Sequence, residues 1–306
     1  MESQQDAPVT DRPAPAGATD AVLDEPVASA LSGPHAHLAR RVGRAASYQR
    51  AVATFSAVPL DPTGRDWADL ATLLGPGRFA DLFSLPVTPP ADWEPVFTMP
   101  GFQMLGDVAA LADAPADPAV EELSADDAPA MRALAEETKP GPFWERTHET
   151  GRYVGVRDDA GRLVAMAGER LRLSGWTEVS AVCTAPDARG RGLAERLVRD
   201  VAARIIERGD RPFLHVAATN TGAIRLYERL GFTVRAEVEF HGYRVPNERT
   251  PPRPKPERER NFVTAARDMF ARTDGHCGPT PLGSEDGAMN AFELSGPRAV
   301  ERSACN

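Results

Sequence analysis

The feature that most constrains this chain is a strand-to-helix junction at residues 178–208. Glu178 to Thr184 reads as a strand, Ala185-Pro186-Asp187-Ala188-Arg189-Gly190-Arg191-Gly192 as a loop, and Leu193 to Arg208 as a helix stopping at Gly209. Along the helix, Leu193, Leu197, Val198, Val201, Ile205 and Ile206 share one face, while Glu195 with Arg199 and Arg196 with Asp200 are charge pairs four residues apart outside it. An apolar stripe of this kind must be buried against another element, and a sheet is the candidate here.

The neighbouring sequence offers that sheet. A short strand at Val120–Leu123 leads to a helix with Asp126 and Asp127 near its positive end and Pro129 in its first turn, where proline is tolerated. Met131, Leu134, Ala135 and Thr138 form its inner face. After the Pro140-Gly141-Pro142 break, Arg152–Arg157 and Arg162–Leu171 read as a hairpin turning at Asp158-Asp159-Ala160-Gly161. Ser174-Gly175 then turns into the strand above; beyond the long helix come a strand at Phe213–Ala217, a short helix at Ala223–Leu230 capped by Gly231, and strands from Phe232 to Val245. The expectation is a mixed α/β domain, an α+β sheet with helices, over residues 120–246.

The rest of the chain reads differently. Residues 1–34 carry six acids against the single basic Arg12, a composition expected to stay disordered. Residues 35–119 contain a helix at Asp66–Leu74 and apolar runs at Phe79–Leu85 and Trp93–Met104, but prolines at 76, 86, 89, 90, 95 and 100 break them into brief pieces, so a small accessory α+β region is expected. Residues 247–306 open with the Pro- and charge-rich run NERTPPRPKPERER and are expected to form a disordered tail.

Composition excludes several function classes. A net charge of −9 gives no basic face for nucleic acid. Cys183, Cys277 and Cys305 form no CxxC pair, and His35 with His37, the one close histidine pair, has no thiol or carboxylate at ligand spacing; no metal is expected and that pair reads as a solvated loop. No apolar stretch approaches the ~20 residues of a membrane span and no signal pattern opens the chain, so a cytoplasmic location is expected.

The loop itself is an anion site. Free amides and the helix dipole converge there, Gly190 and Gly192 let the backbone approach a ligand, and Arg189 and Arg191 add positive charge. A P-loop would need Lys-Ser/Thr where Leu193 and Ala194 stand, and a dinucleotide motif would need glycine at Glu195. The pattern Arg-x-x-Gly-x-Ala, Arg189 to Ala194, resembles the pyrophosphate signature of the GNAT N-acetyltransferase superfamily. Arg40-Arg41-Val42-Gly43-Arg44-Ala45 matches it too but reads as no strand-to-helix junction. A second segment, Asn220-Thr221-Gly222-Ala223 through Tyr227 to Gly231-Phe232, is similar to the same superfamily's Asn-x-x-Ala-x-x-x-Tyr-x-x-x-Gly-Phe run.

That resemblance, over Val120 to about Pro246, implies acetyl-CoA as cosubstrate without a metal. The cofactor would be held by Arg189, Gly190, Arg191, Gly192, Leu193, Ala194, Asn220 and Ala223, its pantetheine arm running along Val182, Cys183 and Thr184. Asn220 suits a helix cap equally well. Transfer to an amine asks for a proton acceptor and for a donor to the departing thiolate. Tyr227 is the candidate donor, and the family commonly uses a tyrosine there. Glu178 is the candidate base, placed by strict strand alternation on one face with Ser180, Val182 and Thr184. Cys183 reads as a small strand residue and His215 as a packed or substrate-lining one. The acceptor, a small-molecule or peptide amine, and the oligomeric state are not legible; a non-enzymatic acyl-CoA-binding sensor or interaction module is the alternative reading.

Overall fold

The computed structural model describes residues 20–113 and 117–247. A 3-10 turn, Asp20–Leu23, leads into α1 (Pro26–Ser32), followed by three short antiparallel strands, β1 (Ala39–Val42), β2 (Ala45–Tyr48) and β3 (Ser56–Ala57). Next come α2 (Gly64–Leu74), β4 (Phe79–Phe83), β5 (Glu94–Gly106) and the single turn α3 (Val108–Leu111). The remaining elements are β6 (Glu121–Leu123), α4 (Ala128–Thr138), β7 (Tyr153–Arg157), β8 (Leu163–Leu173), β9 (Trp176–Thr184), α5 (Leu193–Glu207), β10 (Arg211–Ala217), α6 (Thr221–Arg229) and β11 (Phe232–Arg244).

Eight strands form one mixed sheet in the order β4-β11-β5-β10-β9-β8-β7-β6. Only β9 and β10 run parallel, which is why the long crossover α5 joins them. Local chemistry fixes the elements that read clearly in sequence. Ser124 and Asp127 form a capping box, with the Asp127 carboxylate accepting from the Ser124 amide at 2.8 Å, immediately before α4. On α5, Leu193, Leu197, Val198, Val201, Ala202 and Ile205 are all buried against the sheet.

Three expectations differ from the structure. Residues 20–34 are ordered: Leu23, Val27, Ala30 and Leu31 recur at helical spacing and are buried in a core with Phe213, Trp176 and Leu171. Averaging over acidic residues concealed that stripe. Secondly, the boundary expected at residue 119 falls inside one sheet, because β5 lies between β10 and β11 and β4 extends the far edge. Pro95 and Pro100 do not break β5: both precede Gly101, where the ladder with β10 begins, so neither missing N–H removes a bond from that ladder, and the Pro100 carbonyl still accepts from the Ala218 amide at 2.9 Å. Thirdly, His35 is 2% exposed and hydrogen-bonds the Tyr48 hydroxyl at 2.7 Å, rather than lying in a solvated loop. Residues 1–19 and the tail from 248 lie outside the described residues. Among the described residues no helix is long and apolar enough to cross a membrane.

Candidate active site

The glycine loop takes the form its sequence demands. After β9 a short 3-10 turn, Pro186–Ala188, carries the chain to Gly190 (φ 76°) and Gly192 (φ 72°), left-handed conformations that favour glycine. Gly192 is the N-cap of α5, and no side chain caps that helix. None of the backbone N–H groups from Gly190 to Glu195 has a hydrogen-bond partner among the described residues; the first helical bond runs from the Arg196 amide to the Gly192 carbonyl. A Cβ added at Gly190 or Gly192 would meet nothing within 4 Å, so the loop borders open space. Leu193 is buried and anchors the helix start, while Arg189 donates to the Thr184 carbonyl at 3.3 Å and Arg191 is exposed. Unpaired amides, a helix dipole and arginines beside open space suit a polyanion such as a pyrophosphate.

Beside this loop the sheet opens. β9 pairs with β10 only from Trp176 to Glu178, opposite Arg211 to Phe213; beyond that point β9 stays with β8 while β10 stays with β5. Val182, Cys183 and Thr184 lie on the β9 arm of the resulting gap. Strict alternation along this arm fails. Ser180 pairs with Gly168 and Cys183 with Met166, three residues apart on β9 but two apart on β8, and Ala181 sits at φ 52°. This is a β-bulge, and past it Cys183 rather than Thr184 resumes the face of Glu178 and Ser180. Cys183 is buried, and burial pushes its thiol up to about 11, which fits an inert strand residue.

On the β10 side, Asn220 caps α6, its Oδ1 accepting from the Ala223 amide at 3.2 Å. Ala223 and Tyr227 are four residues apart on one face of that helix. Tyr227 is buried with its ring against Phe232, at 5.9 Å between centroids, and burial pushes its phenol up to about 12. Its hydroxyl makes no hydrogen bond among the described residues, and the raised pKa keeps the phenol protonated at neutral pH.

Glu178 is placed otherwise than a base requires. Its side chain is 0% exposed; Arg170 donates from Nε to Oε2 at 2.8 Å and from Nη2 to Oε1 at 2.5 Å, and His215 Nδ1 donates to Oε1 at 2.7 Å. Burial alone would raise its pKa, but the Arg170 charge and bonds, with His215 added, outweigh it and hold the carboxyl down near 2. A sealed carboxylate that acidic is a poor acceptor for an amine proton. Sequence reasoning missed the partners: Arg170 is an arginine in a largely apolar strand, stacked over Phe83 at 4.5 Å and Phe55 at 5.2 Å. It also missed Gln103, whose amide meets His215 Nε2 at 3.2 Å. No local pattern marks either residue. The earlier Arg40–Ala45 match is a β-hairpin, turning at Gly43 between β1 and β2.

Comparison with known proteins gives consistent likenesses. Residues 153–241 match the family described as FR47-like protein. A crystal structure assigned as a GNAT-family acetyltransferase from Novosphingobium aromaticivorans DSM 12444 is 40% identical, with a TM-score of 0.64, over 72% of this chain and 97% of that one. Two curated relatives named mycothiol acetyltransferase share shorter stretches. The protein from Corynebacterium aurimucosum is 44% identical over 61 residues, covering 20% of each chain, and that from Corynebacterium jeikeium 40% over 78 residues, covering 25% of this chain and 21% of its own. The match therefore spans about a fifth of either curated relative.

Proposed function

Because the chain belongs to the GNAT family of acetyltransferases, we propose that it moves an acetyl group from acetyl-CoA directly to an amine. The observation that carries this reading is the run of unpartnered amides from Gly190 to Glu195 beside the gap between β9 and β10. Arg189 to Ala194 hold the pyrophosphate, and Val182, Cys183 and Thr184 line the path of the pantetheine. Asn220 remains a contributor through the amide nitrogen its capping bond leaves unused, and Ala223 keeps the start of α6 narrow. Bound there, acetyl-CoA supplies an activated thioester.

The protein's own work is then positioning and proton management. Tyr227 stays protonated at neutral pH and donates to the sulfur as it departs. With Glu178 sealed in its ion pair, the ammonium proton of the acceptor passes to water in the gap. Turnover should therefore follow the acceptor's own ionisation. The acceptor class stays at an amine of small-molecule or peptide origin, since the curated relatives share too little of their length to carry over theirs.

A thiol-release assay with acetyl-CoA and a panel of amines tests the proposal, alongside calorimetric titration of acetyl-CoA. Binding with acceptor-dependent release supports it. Binding without turnover on any amine would favour a sensor module, and no binding would remove the cofactor assignment.

A further inference from the structure

We infer that Glu178 is a positioning residue, a clasp that sets the width of the gap between β9 and β10 in which the proposed cosubstrate lies. The inference rests on the acetyl-CoA reading for its functional consequence, and on the register of three strands for its geometry. Glu178 is the last residue of β9 that pairs with β10, opposite Phe213. The strands part immediately beyond it, so its carboxylate stands at the vertex of the opening.

From there the carboxylate reaches both neighbours. Arg170 belongs to β8, where two residues, Arg170 and Leu171, stand opposite Glu178 alone, between the pairs Glu169 with Val179 and Arg172 with Thr177. That second bulge frees Arg170 for its paired bonds to the carboxylate. His215 belongs to β10, already on the diverging arm, two residues past the last pair. One carboxylate therefore joins β8, β9 and β10 on one face of the sheet.

The far side of the clasp is equally constrained. Because Glu178 is an acceptor, His215 carries its proton on Nδ1, and its Nε2 accepts from the Gln103 amide on β5. Gln103 also donates to the Leu23 carbonyl at 2.9 Å and accepts from Arg235 of β11 at 2.9 Å. Phe83, Phe213 and Phe240 surround the imidazole, at 4.8, 5.7 and 6.1 Å between centroids. The His215 ring is fixed in place, so the Glu178–His215 bond fixes the β10 arm relative to β9.

A clasp and a base respond differently to substitution. His215→Leu removes the donor and so breaks the tie between β9 and β10, without stranding a cation, because burial lowers the histidine's pKa, and among Phe83, Phe213 and Phe240 the apolar side chain is accommodated. For a clasp, this variant raises the acetyl-CoA Kd by about tenfold or more, since a small misplacement of a binding arm carries that order of penalty. Amide hydrogen exchange at Val179–Val182 and Leu214–Ala217 also accelerates beyond any global loss of stability, and the shape of the pH–turnover profile is unchanged. Glu178→Leu, which removes both acceptor oxygens, is expected to give the same pattern. Should it fail to fold with Arg170 left unpaired, the double variant Arg170→Met/Glu178→Met replaces the buried pair by apolar side chains and is read by the same Kd and exchange measurements.

Unchanged Kd and exchange in these variants would overturn the clasp. So would a turnover loss in Glu178→Leu that recovers at high pH at constant Kd, which is the signature of a base. If the wild-type protein does not bind acetyl-CoA, the functional proposal fails by itself; hydrogen exchange on both arms still decides the clasp.

Discussion

Replacing Gly192 by aspartate and, separately, by asparagine isolates the charge of the proposed pyrophosphate site from its shape. The residue sits at φ 72°, where asparagine and aspartate are tolerated better than other side chains, and its added Cβ meets nothing within 4 Å. Each variant should therefore fold, with a left-handed backbone cost of about 1 kcal/mol partly offset because either side chain can cap the unpartnered amides of α5. Both lose some affinity, since that capping competes with the ligand. Only aspartate adds a negative charge. At ~5 Å from a doubly charged pyrophosphate and an effective dielectric of roughly 40 to 80, the repulsion is about 2–3 kcal/mol, or about 30- to 150-fold in Kd beyond the asparagine variant. Calorimetric titration with acetyl-CoA at low and high salt measures that difference, which should shrink as ionic strength rises. Equal affinities for the two variants, or an unchanged Kd in Gly192→Asp with an intact thermal transition, would refute the placement of the anion.

Tyr227→Phe should lower turnover by ~10² to 10⁴ with acetyl-CoA affinity nearly kept, the range for a lost general acid, and wild-type turnover would reduce the residue to packing. Since burial holds its phenol near 12, the wild-type enzyme should show no alkaline loss from this group below about pH 11. Leu31→Ala, at a fully buried position in α1, should cost about 2–5 kcal/mol in denaturant unfolding, whereas a cost near zero would mean that the N-terminal helix is not part of the core. His35 gives an acid-sensitive term: burial lowers its pKa from 6.5 to about 4, so the unfolded chain binds the proton first as pH falls. Its contribution is whole above pH 6.5 and lost between 6.5 and 4, and His35→Asn should flatten the dependence of stability on pH in that window.

What could be read in the sequence depended on the range over which each signal acts. The α5 stripe, the helix start marked by Asp126, Asp127 and Pro129, and the turn at Asp158–Gly161 are local, and each stands where the residue pattern puts it. The glycine loop was legible for the same reason, since strand, loop and helix are contiguous. The bulge at Ala181 was not, because Ser180-Ala181-Val182 reads as ordinary strand and only pairing with β8 reveals the extra residue. That one residue moved Thr184 off the face of Glu178. The ion pair that removes Glu178 from base chemistry needs the register of β8, β9 and β10 together, and Gln103 reaches its partner His215 from 112 residues away in sequence. Nothing in a short window encodes such a meeting.

The interleaving of β5 has a consequence for how the chain is made. During synthesis from the N-terminus, β5 is complete at Gly106, yet its partners β10 and β11 begin at Arg211 and Phe232. At common elongation rates the strand waits on the order of ten seconds with both edges unsatisfied, its apolar side chains open to wrong partners. An expression fragment begun near residue 120, where the sequence suggests a clean cut, would carry every residue of the proposed cofactor site but no central strand to hold β10 against β11. Such a fragment is expected to aggregate, and a co-expressed peptide spanning residues 94–106 is the piece that would rescue it.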